Sequence, residues 1–501
     1  MTTIYGYATR ATLTARTLTQ MRSQLDDLAR QLATGKRSET FSGLGLDRGL
    51  DLEVRMRLSR IASYENSIGT VDLRVTLMNT SLERLRGIGQ EMRGDTRFPV
   101  TYELVGGGQT AAQRLAGQRF DEALSRLNER AGDRYLFAGR ATDARATDTA
   151  KRIVDGDGVR AGLKQVISER LQADQGADER GRLLAPTAAL SVVTIEEDDP
   201  HPFGFKLVSA STDFGAMITP DAGPPPSIDI DLGVANPPEG GVVRVTLTLP
   251  DGTTKDIELT ATTEAPPPAG SFEIGATVDD TAVNLAAAID TEIQRVARID
   301  LAAASAIRAS EDFFAIDVDN PPQRVDGPPF DTATALVDGT ENDTIFWYMG
   351  DAGTDDPRST AVARVDDEIT VAYGVRANED GIRQVVQHVA VFAAMTFSDT
   401  DPEARERYFA LVGKIGSALD QPTGVQHIEA IQTDIAGANL AAGAAQQRLE
   451  DKKPVLQGII DEIENAFPEE VGAMLLALNT RMQASLQTTA MLSQFTLLNY
   501  I

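Results

Sequence analysis

Residues 61–85 read IASYENSIGTVDLRVTLMNTSLERL. Apolar side chains recur at Ile61, Tyr64, Ile68, Val71, Val75, Met78, Leu82 and Leu85, at alternating spacings of three and four. This is the seam of a helix that packs along one narrow stripe, and no proline interrupts it. Extended over 50–92, the pattern predicts a helix of roughly 40 residues, about 60 Å long at ~1.5 Å per residue. A stripe of that length needs long partners.

Matching stripes lie near both ends of the chain. Leu18, Met21, Leu25, Leu28 and Leu32 predict a helix over 9–33, closed by Gly35. Ile428, Ile431, Ile435, Ala438, Ala442, Ala445 and Leu449, continued by Leu456, Ile459 and Ile463, predict a long helix over 425–466. Pro454 lies inside it and predicts a kink. A last helix over 469–498 carries Leu475, Leu478, Met482, Ser485, Thr489 and Leu492. Between these ends, a returning helix over 110–131 presents Leu115, Phe120, Leu124 and Leu127, and 134–139 reads as a strand entering a loop. Further on, Asn378 is the expected N-cap of a helix over 378–397 with Val385, Val389 and Phe392 inward. Another helix is expected over 402–419.

The middle differs in texture. Proline clusters at 224–226, 237–238, 266–268, 321–322 and 328–329 punctuate it. Val243, Val245, Leu247 and Leu249 alternate with polar residues, the period of a half-buried strand. Further strands are expected at 256–263, 271–274, 313–318, 345–348 and 367–373, and a helix over 280–298. The expected fold class is therefore mainly α: a long antiparallel coiled-coil rod built from both chain ends, with a central α+β insertion domain.

The 501 residues carry no cysteine and three histidines, His201, His388 and His427. Thiolate chemistry and disulfides are excluded, and a His-based metal site or triad has little to draw on. The net charge of −27 is unevenly placed. Residues 1–140 hold 21 Lys+Arg against 16 Asp+Glu, residues 403–501 hold 7 against 12, and residues 141–402 hold 19 against 46. An acidic middle suits a solvated outer surface and opposes nucleic-acid binding. The start of the chain lacks an apolar core for a Sec-type signal peptide, and no apolar run is long enough for a membrane span.

Three stretches carry a resemblance to a known family. Residues 28–37 read LARQLATGKR, residues 127–139 read LNERAGDRYLFAG, and residues 491–501 read MLSQFTLLNYI. With the mirrored helices, over 1–140 and 345–501, they resemble the bacterial flagellin family of filament flagellins and hook-associated junction proteins. The residues after the TGKR segment, Ser38 to Asp47, depart from the filament flagellin pattern.

The resemblance implies a non-enzymatic structural subunit of the flagellar axis, either at the hook-filament junction or in the filament. It implies three regions: a terminal coiled-coil core from 1–40 and 468–501, a helical rod with a β-hairpin from 41–160 and 345–467, and an outward-facing α+β insertion from 161–344. Export through the flagellar type III channel to an extracellular site, without a cleaved signal peptide, goes with it. So do copies of the same chain and neighbouring hook-associated proteins or flagellin as partners, and an export chaperone at the C-terminus. No cofactor, nucleic acid or membrane is expected. The assembly seam would comprise Leu18, Met21, Leu25, Leu28, Leu32, Leu475, Leu478, Met482 and Leu492. The rod core would comprise Ile61, Tyr64, Ile68, Val71, Val75, Met78, Leu82, Leu85, Ile431 and Ile435.

Other chemistries have weaker signals. Asp155–Gly156–Asp157 and Asp317–Val318–Asp319–Asn320 look like pieces of calcium loops but lack the remaining ligands, so acidic turns are expected. Gly106–Gly108 precedes no Lys-Ser/Thr, so it is no P-loop. His388 beside Val389 is expected to be structural. No catalytic, cofactor or metal residue is assigned. A coiled-coil adhesin with a ligand-binding insert is the more distant alternative. An enzymatic insert has no H-E-x-x-H motif to support it.

Overall fold

A computed structural model describes residues 3–97, 101–317, 319–420 and 424–498; the side chains of 3–11, 14 and 492–498 lie outside that description. Leu492, expected in the C-terminal seam, and Val318, expected to end a strand, fall outside it. The fold mixes helix and sheet and is about 53% helical.

Along the chain come α1 (Thr3–Thr34), a short 3-10 segment (Phe41–Asp47), α2 (Arg48–Arg97), α3 (Ala111–Leu127), β1 (Arg130–Ala131), β2 (Arg134–Tyr135), α4 (Ala150–Asp155) and α5 (Leu163–Gln175). The strand-rich middle follows with β3 (Thr187–Ala189), β4 (Val192–Glu196), β5 (Lys206–Thr212), β6 (Met217–Asp221), β7 (Ser227–Asp231), β8 (Val242–Thr248), β9 (Thr254–Thr262) and β10 (Ser271–Glu273). Then come α6 (Val278–Val296), a π-turn (Ala297–Leu301), α7 (Ala302–Phe314), β11 (Gln323–Val325), β12 (Leu336–Asp338), β13 (Val362–Arg364) and β14 (Thr370–Ala372). The chain closes with α8 (Asp380–Ala394), α9 (Ala404–Leu419), α10 (Ile428–Glu464) and α11 (Pro468–Leu498).

Two compact units result. The first holds Met1–Thr70, Ala363–Val371 and Leu440–Ile501; the second holds Val71–Val362 and Ala372–Asn439.

In the first unit α1 packs against α11. Two backbone bonds join the residues just after α1 to the turn between α10 and α11: Arg37 N–H to the Glu464 carbonyl at 2.7 Å, and Ala466 N–H to the Gly35 carbonyl at 2.9 Å. Gly35 is at φ +68°, a conformation that suits glycine at a helix end. The α2 part of this unit buries Val54, Ile61 and Ile68, and the α10 part buries Ala442, Ala445, Leu449, Ile460 and Ile463. Arg55 donates to Glu464, and Lys453 Nζ reaches Glu65 at 3.0 Å, so positions rise along α2 as they fall along α10. Within this unit the two helices are antiparallel.

In the second unit α2 buries Val71, Val75, Met78, Leu82, Leu85, Ile88 and Met92, and α10 buries Ile428, Ile431 and Ile435. Gln432 meets Asn79 at 3.4 Å and Asn439 meets Asp72 at 3.4 Å, again antiparallel. Helix α3 starts in a capping box made by Thr110 and Gln113, and it packs on α8. Arg84 on α2 grips Glu122 on α3 through two bonds of 2.7 and 2.8 Å.

The sheets of this unit have strand orders β10-β9-β8-β5 and β3-β4-β7-β6. Their inner faces, including Val243, Val245, Leu247, Val193, Ile195, Ile228 and Ile230, share one core with Leu285, Ile289 and Ile293 of α6. The alternation that predicts β8 is the alternation it buries. Helix α7 packs on both α8 and α9, so the strand-rich middle and the returning helices belong to one unit.

Several local expectations change. Residues 313–318 are not a strand: Phe313 and Phe314 are the buried end of α7. The apolar run was too short for its period to separate helix from strand. Residues 345–348 form no strand; Thr344 just before them and Tyr348 at their end make isolated bridges to Ala161 and Thr147. The strand expected at 134–139 is only Arg134–Tyr135. Glu379, not Asn378, takes the N-cap position of α8, and Asn378 Nδ2 donates to the Ile316 carbonyl at 2.7 Å. Helix α10 runs through Pro454 as one element. Leu115 is exposed, and Gln113, Ala116 and Arg119 join Phe120 on the packed face of α3.

Candidate assembly surface

The terminal helices are where packing is least complete. On α1, Leu18, Met21, Leu25 and Leu28 are half-buried. Leu32 is 47% exposed, and Gln31 takes the next packed position, its amide donating to the Arg37 carbonyl at 3.1 Å. The packed stripe of α1 thus shifts by one residue, from Leu32 to Gln31, in its last turn. On α11, Leu478 is buried, and Leu475 and Met482 are half-buried. Leu13, Met474, Leu476, Leu486 and Met491 remain exposed on this pair of helices. Each such side chain is worth ~1.5–3 kcal/mol when fully buried, so a partner covering several of them gains substantially.

The junction below this pair is polar. The hydrogen bond from Arg55 holds the Glu464 carboxyl below the usual carboxylate range. Arg55 also reaches the buried Asp51 at 3.2 Å and lies 5.7 Å over the Phe41 ring. These contacts tie the short 3-10 segment to α2 and α10.

A second feature of the first unit is the tip of the β13–β14 hairpin. Asp367 accepts from the Tyr64 hydroxyl at 3.1 Å and lies 3.5 Å from Arg60, both on α2. Asp366 lies 3.5 Å from Arg448 and 3.9 Å from Lys452, both on α10. The tip thus spans both helices and borders a groove of about 690 Å³. In the sequence this stretch reads only as a strand; the local mark of its role is the adjacent pair Asp366 and Asp367 at the turn.

In the second unit the motif at 134–139 is a structural node. Phe137 and Ala138 are fully buried, and Ala138 bridges Arg376. Arg376 in turn holds Asp351 at 3.2 Å and the Asp355 carbonyl at 3.0 Å. Gly139 is at φ +63°, and a Cβ there would stand 3.0 Å from Asp351 Cβ.

All the rod-core positions except Tyr64 are buried: Ile61, Ile68, Val71, Val75, Met78, Leu82, Leu85, Ile431 and Ile435 are each 5% exposed or less. The acidic turns are internally satisfied. Asp157 accepts from Val159 and Arg160 N–H groups, and Asp317 from those of Asp319 and Asn320. His388 is buried on α8, its Nδ1 2.6 Å from the Gln384 carbonyl, and burial lowers its pKa. Among the described residues, no cluster of three or more His, Asp or Glu side chains could hold a metal ion, and no helix is long and apolar enough to cross a membrane. No protein-family model matches the chain, and no curated protein matches it.

Proposed function

We propose that this chain is a structural subunit of the bacterial flagellum that self-assembles through its terminal helices, as the hook-filament junction protein (hook-associated protein 3). One observation carries the reading most: the two chain ends pair with each other as α1 and α11 yet leave Leu13, Met474, Leu476, Leu486 and Met491 exposed. A helix pair with a narrow stripe is marginal by itself and gains order when neighbouring copies cover its remaining apolar side chains. The antiparallel α2 and α10 contacts within each unit are what a rod built from both chain ends requires. The acidic sheet-bearing middle is suited to face outward from it.

The RYLFAG segment and the departure at Ser38 to Asp47 favour the junction role over the filament role. Negative-stain microscopy of a deletion strain tests the choice. The junction role predicts bare hooks with filament flagellin secreted as monomer. Filaments that persist, shortened or altered, assign the chain to the filament instead. A normal flagellum overturns the reading.

A further inference from the structure

We infer that Arg74, Arg134 and Tyr373 form a binding site for a tetrahedral oxyanion of the phosphate or sulfate class. All three belong to the second unit. Arg74, half-buried on α2, donates from Nη1 to the Tyr373 hydroxyl at 2.8 Å. Tyr373 is buried just after β14, and its N–H donates to the Ala361 carbonyl at 2.8 Å. Arg134, half-buried on β2, reaches the neighbouring Thr360 carbonyl from Nη2 at 3.4 Å and the Gly139 carbonyl at 3.3 Å. The β2 guanidinium is thereby brought beside the phenol that the α2 guanidinium already holds.

The two arginines lack what the rest of the chain offers in excess. The sequence holds 74 Asp and Glu against 47 Lys and Arg, and the buried Arg119, Arg170, Arg182 and Arg376 of the same unit each hold a carboxylate. Among the described residues, Arg74 and Arg134 are paired with none. Burial holds the Arg134 guanidinium below its usual range, the neighbouring Arg74 charge pushes the same way, and only the Tyr373 phenol opposes them. Two like charges side by side repel, and an anion between them removes the repulsion. The donors are in place for it. The phenol oxygen accepts from Arg74, so its own O–H is left to donate, and among the described residues it has no acceptor. Neither does Nε or Nη1 of Arg134. Two guanidinium forks and a hydroxyl carry one positive charge more than a single carboxylate neutralises, which matches a dianionic tetrahedral group.

Calorimetric titration of the full chain with inorganic phosphate, in chloride buffer of matched ionic strength, tests the site. The expected result is saturable binding. Arg74→Gln and Arg134→Gln should each weaken it about tenfold or more, and Tyr373→Phe by less. Arg244→Gln, which removes a cation already held by Glu258, should leave it unchanged. In chloride alone, both arginine variants should unfold at the parent's temperature or above it, since each removes one of two charges that repel. Phosphate should raise the unfolding temperature of the parent and not of these variants. A second titration with methyl phosphate separates the sources: binding of both supports a phosphate group carried on a larger molecule, and binding of phosphate alone supports the free anion. Absence of saturable phosphate binding, or binding that survives in both arginine variants, overturns the site. Lower unfolding temperatures for both variants in chloride also overturn it, by assigning the two arginines to the fold.

Discussion

At the scale of single residues, His388 and Gly139 report on the second unit. His388 is buried neutral, so its folded pKa lies below the ordinary value of 6.5. The unfolded chain then binds the extra proton first, and stability falls as pH drops below that value. Urea unfolding at pH 7.5, 6 and 5 should show this loss, and His388→Gln should remove it from that window. Gly139→Val should cost about 1–3 kcal/mol, because it forces a branched side chain to positive φ against Asp351; the same urea titration measures it. Both residues stood out in the sequence, one as a rare histidine and the other inside a motif. The buried Arg170, which holds Asp174 at 2.9 Å and Asp312 at 3.0 Å, did not. Arg170 and Asp174 share α5 at i, i+4, a spacing that reads as a solvated surface pair, and nothing local marks Asp312 on α7 as their partner.

At the scale of elements, the 3.6-residue period located the helices well because their buried stripes are long and regular. Short apolar runs carried no such information, which is why 313–318 was misread and why β13 and β14 were legible only in part. Sheet order was beyond reach: β10 pairs parallel to β9 across the short connection 263–270, where an antiparallel hairpin is the ordinary expectation. The element junction makes its own prediction. Glu464 has a depressed pKa, so the Arg55–Glu464 tie is complete above the ordinary carboxylate value of 4.5 and is lost as pH falls through the lower folded value. Amide protection factors at Arg37 and Ala466, taken relative to the intrinsic exchange rate at each pH, should therefore fall below pH 4.5 in the parent chain. Glu464→Gln should already exchange faster at pH 7 and respond less to acid. Arg55 is nearly half exposed, so solvent screening keeps the energetic effect small.

At the scale of the whole molecule, the account turns on an asymmetry in burial. The seams of α2 and α10 are covered within the chain, whereas those of α1 and α11 are covered only in part. Stability of the units and competence to assemble should therefore separate. Chains lacking residues 1–33 or 469–501 should stay folded while losing self-association. The polymerisation state of full-length chain beside these two truncations, followed by sedimentation and negative-stain microscopy over a concentration series, tests this most directly. The account predicts ordered polymers from the full chain above a threshold concentration and soluble, folded, non-assembling truncations. Truncations that polymerise like the full chain would contradict it.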